Sequence, residues 1–199
     1  MEENPRVPGV TNVLTPFTVL TRPPAPPILD VAPEKDDIME IEMKIKGLVV
    51  DPISKMPIVV LEDIRSEQIL PIWIGVFEAN AIALTIENVP SPRPMTHDLL
   101  RNFLEKLDIA IEKIVVNDVR NNTFYALIHC RHDDHRIVID SRPSDAIALA
   151  LRMCSPIFVE DEVVRKAHGL KFDDNVEGAE KLRKWLEGLG PEDFGKYKM

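Results

Sequence analysis

The sequence predicts an α+β domain with a largely antiparallel sheet flanked by helices, behind a disordered proline-rich arm. Three observations predict it. Strand-length apolar runs fall into groups joined by short turns, as hairpins require. Two longer runs, Val76 to Asn88 and the stretch after Pro143 whose only ionisable groups are Asp145 and Arg152, are apolar beyond strand length and read as packed helices. Residues 1–40 hold eight prolines and no periodic apolar pattern, so this segment offers no face to pack.

Taken in order, residues 1–41 form the acidic arm, with Pro23, Pro24, Pro26 and Pro27 at its centre and Glu34-Lys35-Asp36-Asp37 near its end. A domain over 42–168 follows. Strands are expected at Met43 to Val50, Ile58 to Ile64 and Ile69 to Ile74, separated by turn residues such as Asp51-Pro52 and Ser66-Glu67. Gly75 releases the chain into the helix VFEANAIALTIEN, whose apolar residues run almost all round and predict burial on most sides. A loop with Pro90, Pro92 and Pro94 leads to Thr96, a suitable N-cap for a helix over His97 to Leu107.

Residues 112–140 read as a three-stranded meander. Asn121-Asn122 suits the positive-φ positions of a tight hairpin, setting Val119 opposite Phe124 and Val115 opposite Ile128. Both faces of the meander are apolar, which requires cover on two sides by helices or a second subunit. After Ile137 to Asp140 come the helix from Pro143 and a last strand at Ile157. Residues 169–199 hold an amphipathic helix at Val176 to Leu189 with Trp185 on its apolar stripe, and a tail.

Charge and cysteine use narrow the function classes. The net charge is -9, and residues 1–42 supply most of it with 3 basic against 8 acidic groups. That is not the basic surplus of a dedicated nucleic-acid binder, although a local basic patch fits. Cys130 and Cys154 lie in apolar runs without a CxxC spacing, which argues against a disulfide framework and for a reducing compartment. No apolar run reaches the roughly 18 residues of a membrane span, and the N-terminus lacks a basic signal region. A cytoplasmic protein with no membrane partner is expected.

The chemistry-bearing residues gather where apolar elements end. Asp140, Ser141, Arg142, Ser144 and Asp145 span the junction between the third meander strand and the following helix. They suit a helix cap, with Asp145 favouring the positive end of the dipole and pairing with Arg152 on the same polar strip. They equally suit a site in which carboxylates hold a divalent metal while Arg142 and free amides receive a phosphate. His97 lies at the edge of the stripe Leu99, Leu100, Phe103, Leu104 and Leu107, about 20° past Leu104 on an ideal helix, and is expected to face a crevice, with Asp98 turned to water. Glu78, in the first turn of its apolar helix, needs a cation or donor if buried. Cys130, His132 and His135 share a hairpin face but lack a fourth ligand, so an exposed turn accounts for them better than zinc. No Gly-rich phosphate loop, GxSxG or HExxH occurs, and no RNP-like aromatic strand is present.

Three segments, LPIWIGVFEANAIAL from Leu70, PRPMTHDLL from Pro92 and VIDSRPSDAIALALR from Val138, resemble in order and spacing the bifunctional nuclease domain family. The likeness covers Met43 to Val164, and the closing PEDFGKYKM resembles the end of many bacterial members. Glu78, Thr96, His97, Asp98, Asp140, Ser141, Arg142, Ser144 and Asp145 fall on its motifs. The resemblance implies an α+β fold with a mixed sheet, self-association, and nuclease activity on DNA and RNA; it carries no residue roles.

Together these readings give the expectation of a metal-assisted phosphodiesterase acting on DNA or RNA. His97, Asp140 and Asp145 would be catalytic, and Arg142, Ser141 and Ser144 would bind substrate. Glu78, Asp140 and Asp145 would hold Mg²⁺ or Mn²⁺. A homo-oligomer, a dimer first, is the expected assembly. The alternative is a non-catalytic, self-associating interaction or regulatory module in which the same charges are structural.

Overall fold

Why the strands share one sheet is plain from their pairing. The computed structural model describes residues 29–30, 39–66, 68–168 and 188. Its strands are β1 (Leu29–Asp30), β2 (Glu40–Val50), β3 (Pro57–Asp63), β4 (Ile69–Trp73), β5 (Ile109–Arg120), β6 (Thr123–His132), β7 (His135–Ser141) and β8 (Ile157–Glu160). The helices are α1 (Val76–Ile86), α2 (Thr96–Lys106), α3 (Pro143–Met153) and α4 (Asp161–His168). The sheet order is β1-β7-β6-β5-β8-β2-β3-β4. Among the described strands only the β5–β8 pair is parallel, so the sheet is mixed and the fold is the α+β type expected. Of the expected C-terminal helix, only Gly188 lies within the described residues. From the proline-rich arm, Leu29–Asp30 lie along β7 as a two-residue edge.

Local chemistry sets the turns. Asn121 and Asn122 both take positive φ, 48° and 60°, as the β5–β6 hairpin requires. The two ends of β3 carry the same device. Asp51 accepts the Ile53 N–H and the Ser54 hydroxyl, and Asp63 accepts the Arg65 N–H and the Ser66 hydroxyl. Trp73 Nε1 also donates to Asp51 at 3.2 Å, tying the first turn to β4.

Two expectations about the meander are settled by one irregularity. Val119 does face Phe124, but Val115 pairs with Leu127, and Ile114 with Ile128. A register shift between Val116 and Asp118 inserts Asn117 as an extra residue, and the pairs from Val116 back to Lys113 slip by one, before a second shift between Lys113 and Ile111. The slip decides which side chains meet the helices. Phe124, Ala126, Ile128 and Cys130 of β6 join Ile114, Val116 and Val119 of β5 in the main core, with Ala79 and Ile82 of α1, Ala146 to Ala150 of α3, and Val163 and Val164 of α4. Val115, paired with Leu127, points to the other side of the sheet.

The helices depart from expectation in their exposure. α1 buries Ala79, Ala81, Ile82 and Ala83, yet Phe77 stands 86% exposed, so its cover is one-sided and not all round. α2 has no fully buried residue. Leu104 packs on the core, while Leu99, Leu100, Phe103 and Leu107 are 51%, 43%, 57% and 57% exposed. The apolar stripe expected to face inward therefore looks largely outward. Among the described residues, no helix is long and apolar enough to cross a membrane.

Candidate functional site

Three helix N-termini meet beside the end of β7, and each carries a carboxylate in its first turn: Glu78 on α1, Asp98 on α2 and Asp145 on α3. Acidic groups there complement the helix dipoles. None of the three N-cap residues, Gly75, Met95 or Arg142, makes a side-chain capping hydrogen bond. Thr96 is thus the first residue of its helix and not its cap. The N–H of Met95 instead donates to Asp98 Oδ2 at 2.9 Å, which starts α2 one residue earlier.

Arg142 links two of these carboxylates. Its Nε donates to Asp145 Oδ2 at 2.7 Å and its Nη2 to Asp145 Oδ1 at 3.1 Å, a side-on fork. Nη1 donates to Glu78 Oε1 at 2.8 Å. Gly75 makes room for this, because a Cβ there would run into the Glu78 carboxylate. The Arg142 side chain remains 65% exposed, and three of the five guanidinium N–H groups are accounted for, leaving two to meet a ligand. Its carboxylate partners, Asp145 first and then Glu78, hold its pKa above the ordinary arginine range.

His97 completes the cluster, its Nε2 lying 3.1 Å from Asp145 Oδ1. The side chain is 13% exposed, against 34% for Asp145. Burial pushes the Asp145 carboxyl up, but the hydrogen bonds from Arg142 and His97 outweigh it and hold the pKa below the usual carboxylate range. An ionised carboxylate only accepts, so in neutral His97 the Nε2 carries the proton and Nδ1 is left as a free base.

The remaining expected residues lie elsewhere. Asp140 pairs with Leu127 and so points to the sheet face opposite the helices, exposed and away from Asp145. Its alternation with Ile139 and Ser141 is the physical reason. Ser141 donates its hydroxyl to the carbonyl of Arg142 at 3.0 Å, and Ser144 is buried at the start of α3. Asp98 does not face water, nor does Asp145 pair with Arg152. Arg152 Nε instead donates to Asp98 Oδ1 at 2.6 Å. Sequence reasoning noticed Arg152 as a lone cation in an apolar helix but sought its partner on the same helix. In the β6–β7 hairpin, His132 does sit across from His135. Cys130 is buried, and its thiol is pushed up to about 11, first by burial and then by Glu112, which leaves it protonated.

The expected three-carboxylate metal set is not assembled. Asp140 is on the wrong face, and Arg142 already occupies Glu78 and Asp145. Among the described residues no group of three or more His, Cys, Asp or Glu side chains could hold a metal ion. This donor set fits a bridging guanidinium and does not fit a resident Mg²⁺ or Mn²⁺.

The model of the bifunctional nuclease domain matches residues 59–171, a stretch that includes every residue of the cluster. The chain belongs to that family. An uncharacterized protein of Mycobacterium tuberculosis is 37% identical over 163 residues, covering 77% of this chain and 97% of the relative. Bifunctional nuclease 2 of rice (Oryza sativa subsp. japonica) is 27% identical over 121 residues, covering 59% of this chain and 35% of the rice protein. Bifunctional nuclease 1 of the same subspecies is 24% identical over 109 residues, 53% of this chain and 33% of its own length. The family alignment thus follows the elements that build the cluster, while the N-terminal arm lies outside the matched segment.

Proposed function

We propose that this family member is a phosphodiesterase acting on DNA or RNA, with the His97–Asp145–Arg142–Glu78 cluster as its site. The observation that carries the reading is the unbroken chain of contacts among those four side chains at an exposed junction. Asp145 orients the imidazole through Nε2, and His97 Nδ1 takes the proton of the attacking oxygen, either water or a ribose 2′-hydroxyl, as that oxygen bonds to phosphorus. The opposite P–O bond breaks with its electron pair going to the departing oxygen, which is protonated by solvent. Arg142 turns its two free N–H groups to the phosphate oxygens and meets the charge that builds there. Glu78 keeps the guanidinium from swinging out. Asp140 has no part in this scheme.

The test is cleavage of labelled DNA and RNA oligonucleotides by protein freed of host nucleases. His97→Gln and Asp145→Asn are each expected to lower the rate by about a hundredfold or more. Unchanged rates in both would end the proposal. Cleavage is expected to persist in EDTA. A strict need for Mn²⁺ or Mg²⁺ would return Glu78 and Asp145 to the role of ligands.

The second reading, a self-associating module, is favoured by the outward stripe of α2. A second copy presenting the same stripe would cover Leu99, Leu100, Phe103 and Leu107 in an isologous dimer. A Leu100→Glu/Phe103→Glu double variant would then sediment as a monomer where the parent is a dimer.

A further inference from the structure

Among the described residues Arg152 is the most deeply placed cation of the helix layer, with its side chain 5% exposed. Burying a guanidinium is costly unless its donors are met, and here they are met on three helices. Besides the 2.6 Å bond to Asp98 on α2, Nη1 donates to the carbonyl of Ala148 on α3 at 2.8 Å, and Nη2 to the carbonyl of Ala81 on α1 at 3.1 Å. The Ala81 carbonyl also accepts the Thr85 hydroxyl at 3.1 Å, so this oxygen is held from two sides.

These are the three helices that deliver the cluster. α1 carries Glu78, α3 carries Arg142 at its N-cap and Asp145 in its first turn, and α2 carries His97. Asp98 is the residue after His97, and both of its oxygens are engaged. Oδ1 takes Arg152, and Oδ2 takes the Met95 N–H that opens the helix. The first turn of α2 is thereby pinned to α3 seven residues, about 10 Å, from Asp145. The imidazole has no such anchor of its own beyond the single bond to Asp145.

We infer that Arg152, acting through Asp98, is the positioning residue that sets His97 against Asp145. The inference rests on the proposed site but concerns its geometry, which can be read without any cleavage. Lysine cannot replace Arg152. Its three donors radiate from one nitrogen, whereas the planar guanidinium spans a carboxylate and two carbonyls on separate helices.

The experiment is ¹⁵N NMR of the His97 ring in full-length wild type, Arg152→Lys and Asp98→Asn, with oligonucleotide kinetics alongside. In Asp98→Asn the amide oxygen can still accept the Met95 N–H, so this variant keeps the α2 cap while losing the ionic bond to Arg152. Wild type should show one dominant His97 tautomer, protonated at Nε2. Both variants should show a mixture of tautomers, and a kcat at least tenfold lower with KM within about twofold. Should Arg152→Lys fail to fold, Asp98→Asn decides. Folded variants with a wild-type His97 spectrum would overturn the inference. A wild-type protein that cleaves nothing would sink the proposed function alone, since the tautomer shift would still report the positioning.

Discussion

Arg142 and Arg152 use the same chemistry in opposite surroundings. Each is an arginine on α3 tied to carboxylates from its own or a neighbouring helix, one 65% exposed and the other 5%. At the open end, water screens the pairs, and the guanidinium keeps donors to spare. In the interior screening is weaker, the same number of donors is spent on holding three helices together, and burial keeps a ligand from reaching the rest. The difference teaches that a charged residue in an apolar helix is not by itself a sign of chemistry. Both guanidinium groups spend three of five donors, so what separates a site from a staple is whether the remaining donors open to solvent.

That contrast can be broken by mutation, and the largest effect belongs to the interior. Arg152→Ala leaves the partly exposed Asp98 without its counter-ion and two helix carbonyls without the guanidinium donors, and is expected to cost about 2–3 kcal/mol. Arg142→Ala loses screened surface pairs and is expected to cost no more than about 1 kcal/mol. Urea unfolding of both variants measures the gap, and equal losses would erase the distinction.

Acid sharpens the same comparison with a smaller effect. Burial raises the Asp98 carboxyl, but the Arg152 and Met95 hydrogen bonds outweigh it and hold the pKa below the usual range, as Arg142 and His97 do for Asp145. A carboxylate depressed in the folded state stabilises above its unfolded pKa of about 4 and loses that contribution as pH falls through the folded value. The contribution of these two carboxylates should therefore be constant from pH 7 to about 5 and decline below about 4. His129, whose pKa burial holds below the usual histidine range, adds a separate loss of stability as pH falls below about 6.5. The decline below about 4 should be shallower in Asp98→Asn, as followed by urea midpoints at each pH.

Gly75→Ala should have the smallest effect on stability. Gly75 has φ of −70°, which alanine adopts freely, so the gain from a stiffer unfolded chain offsets much of the loss. The net change is expected within about 1 kcal/mol. The added methyl displaces the Glu78 carboxylate, so the expected signature is a shifted Arg142 Nε–H resonance in an otherwise unchanged spectrum.

Much of this was legible in the chain. Hairpin turns and apolar runs placed β2 to β7 and α1 to α3 because period and turn chemistry are local. The register was lost at Asn117, since a bulge depends on both strands and leaves no mark in one. Asp140 was assigned to the cluster by proximity in sequence. Strand alternation, which sets it with Val138 and against Ile139, held the contrary signal. His97 and Asp145 belong to segments 48 residues apart, and only the family motifs hinted that they meet. Asp98 was turned to water by a helical wheel that could not know α3 lay alongside.

The four residues of β8 have a consequence for how the protein comes into being. They pair with β5 on one side and β2 on the other, and among the described residues no other strand joins the two halves of the sheet. Until Ile157 to Glu160 leave the ribosome, the nascent chain holds two half-sheets, each with a raw inner edge open to strangers. The β8–β2 pairs that close it span more than a hundred residues of separation, so slow, late closure is built into the order of the strands. A stop codon just ahead of Ile157 would release one sticky chain of two unjoined half-sheets in place of a weakened domain.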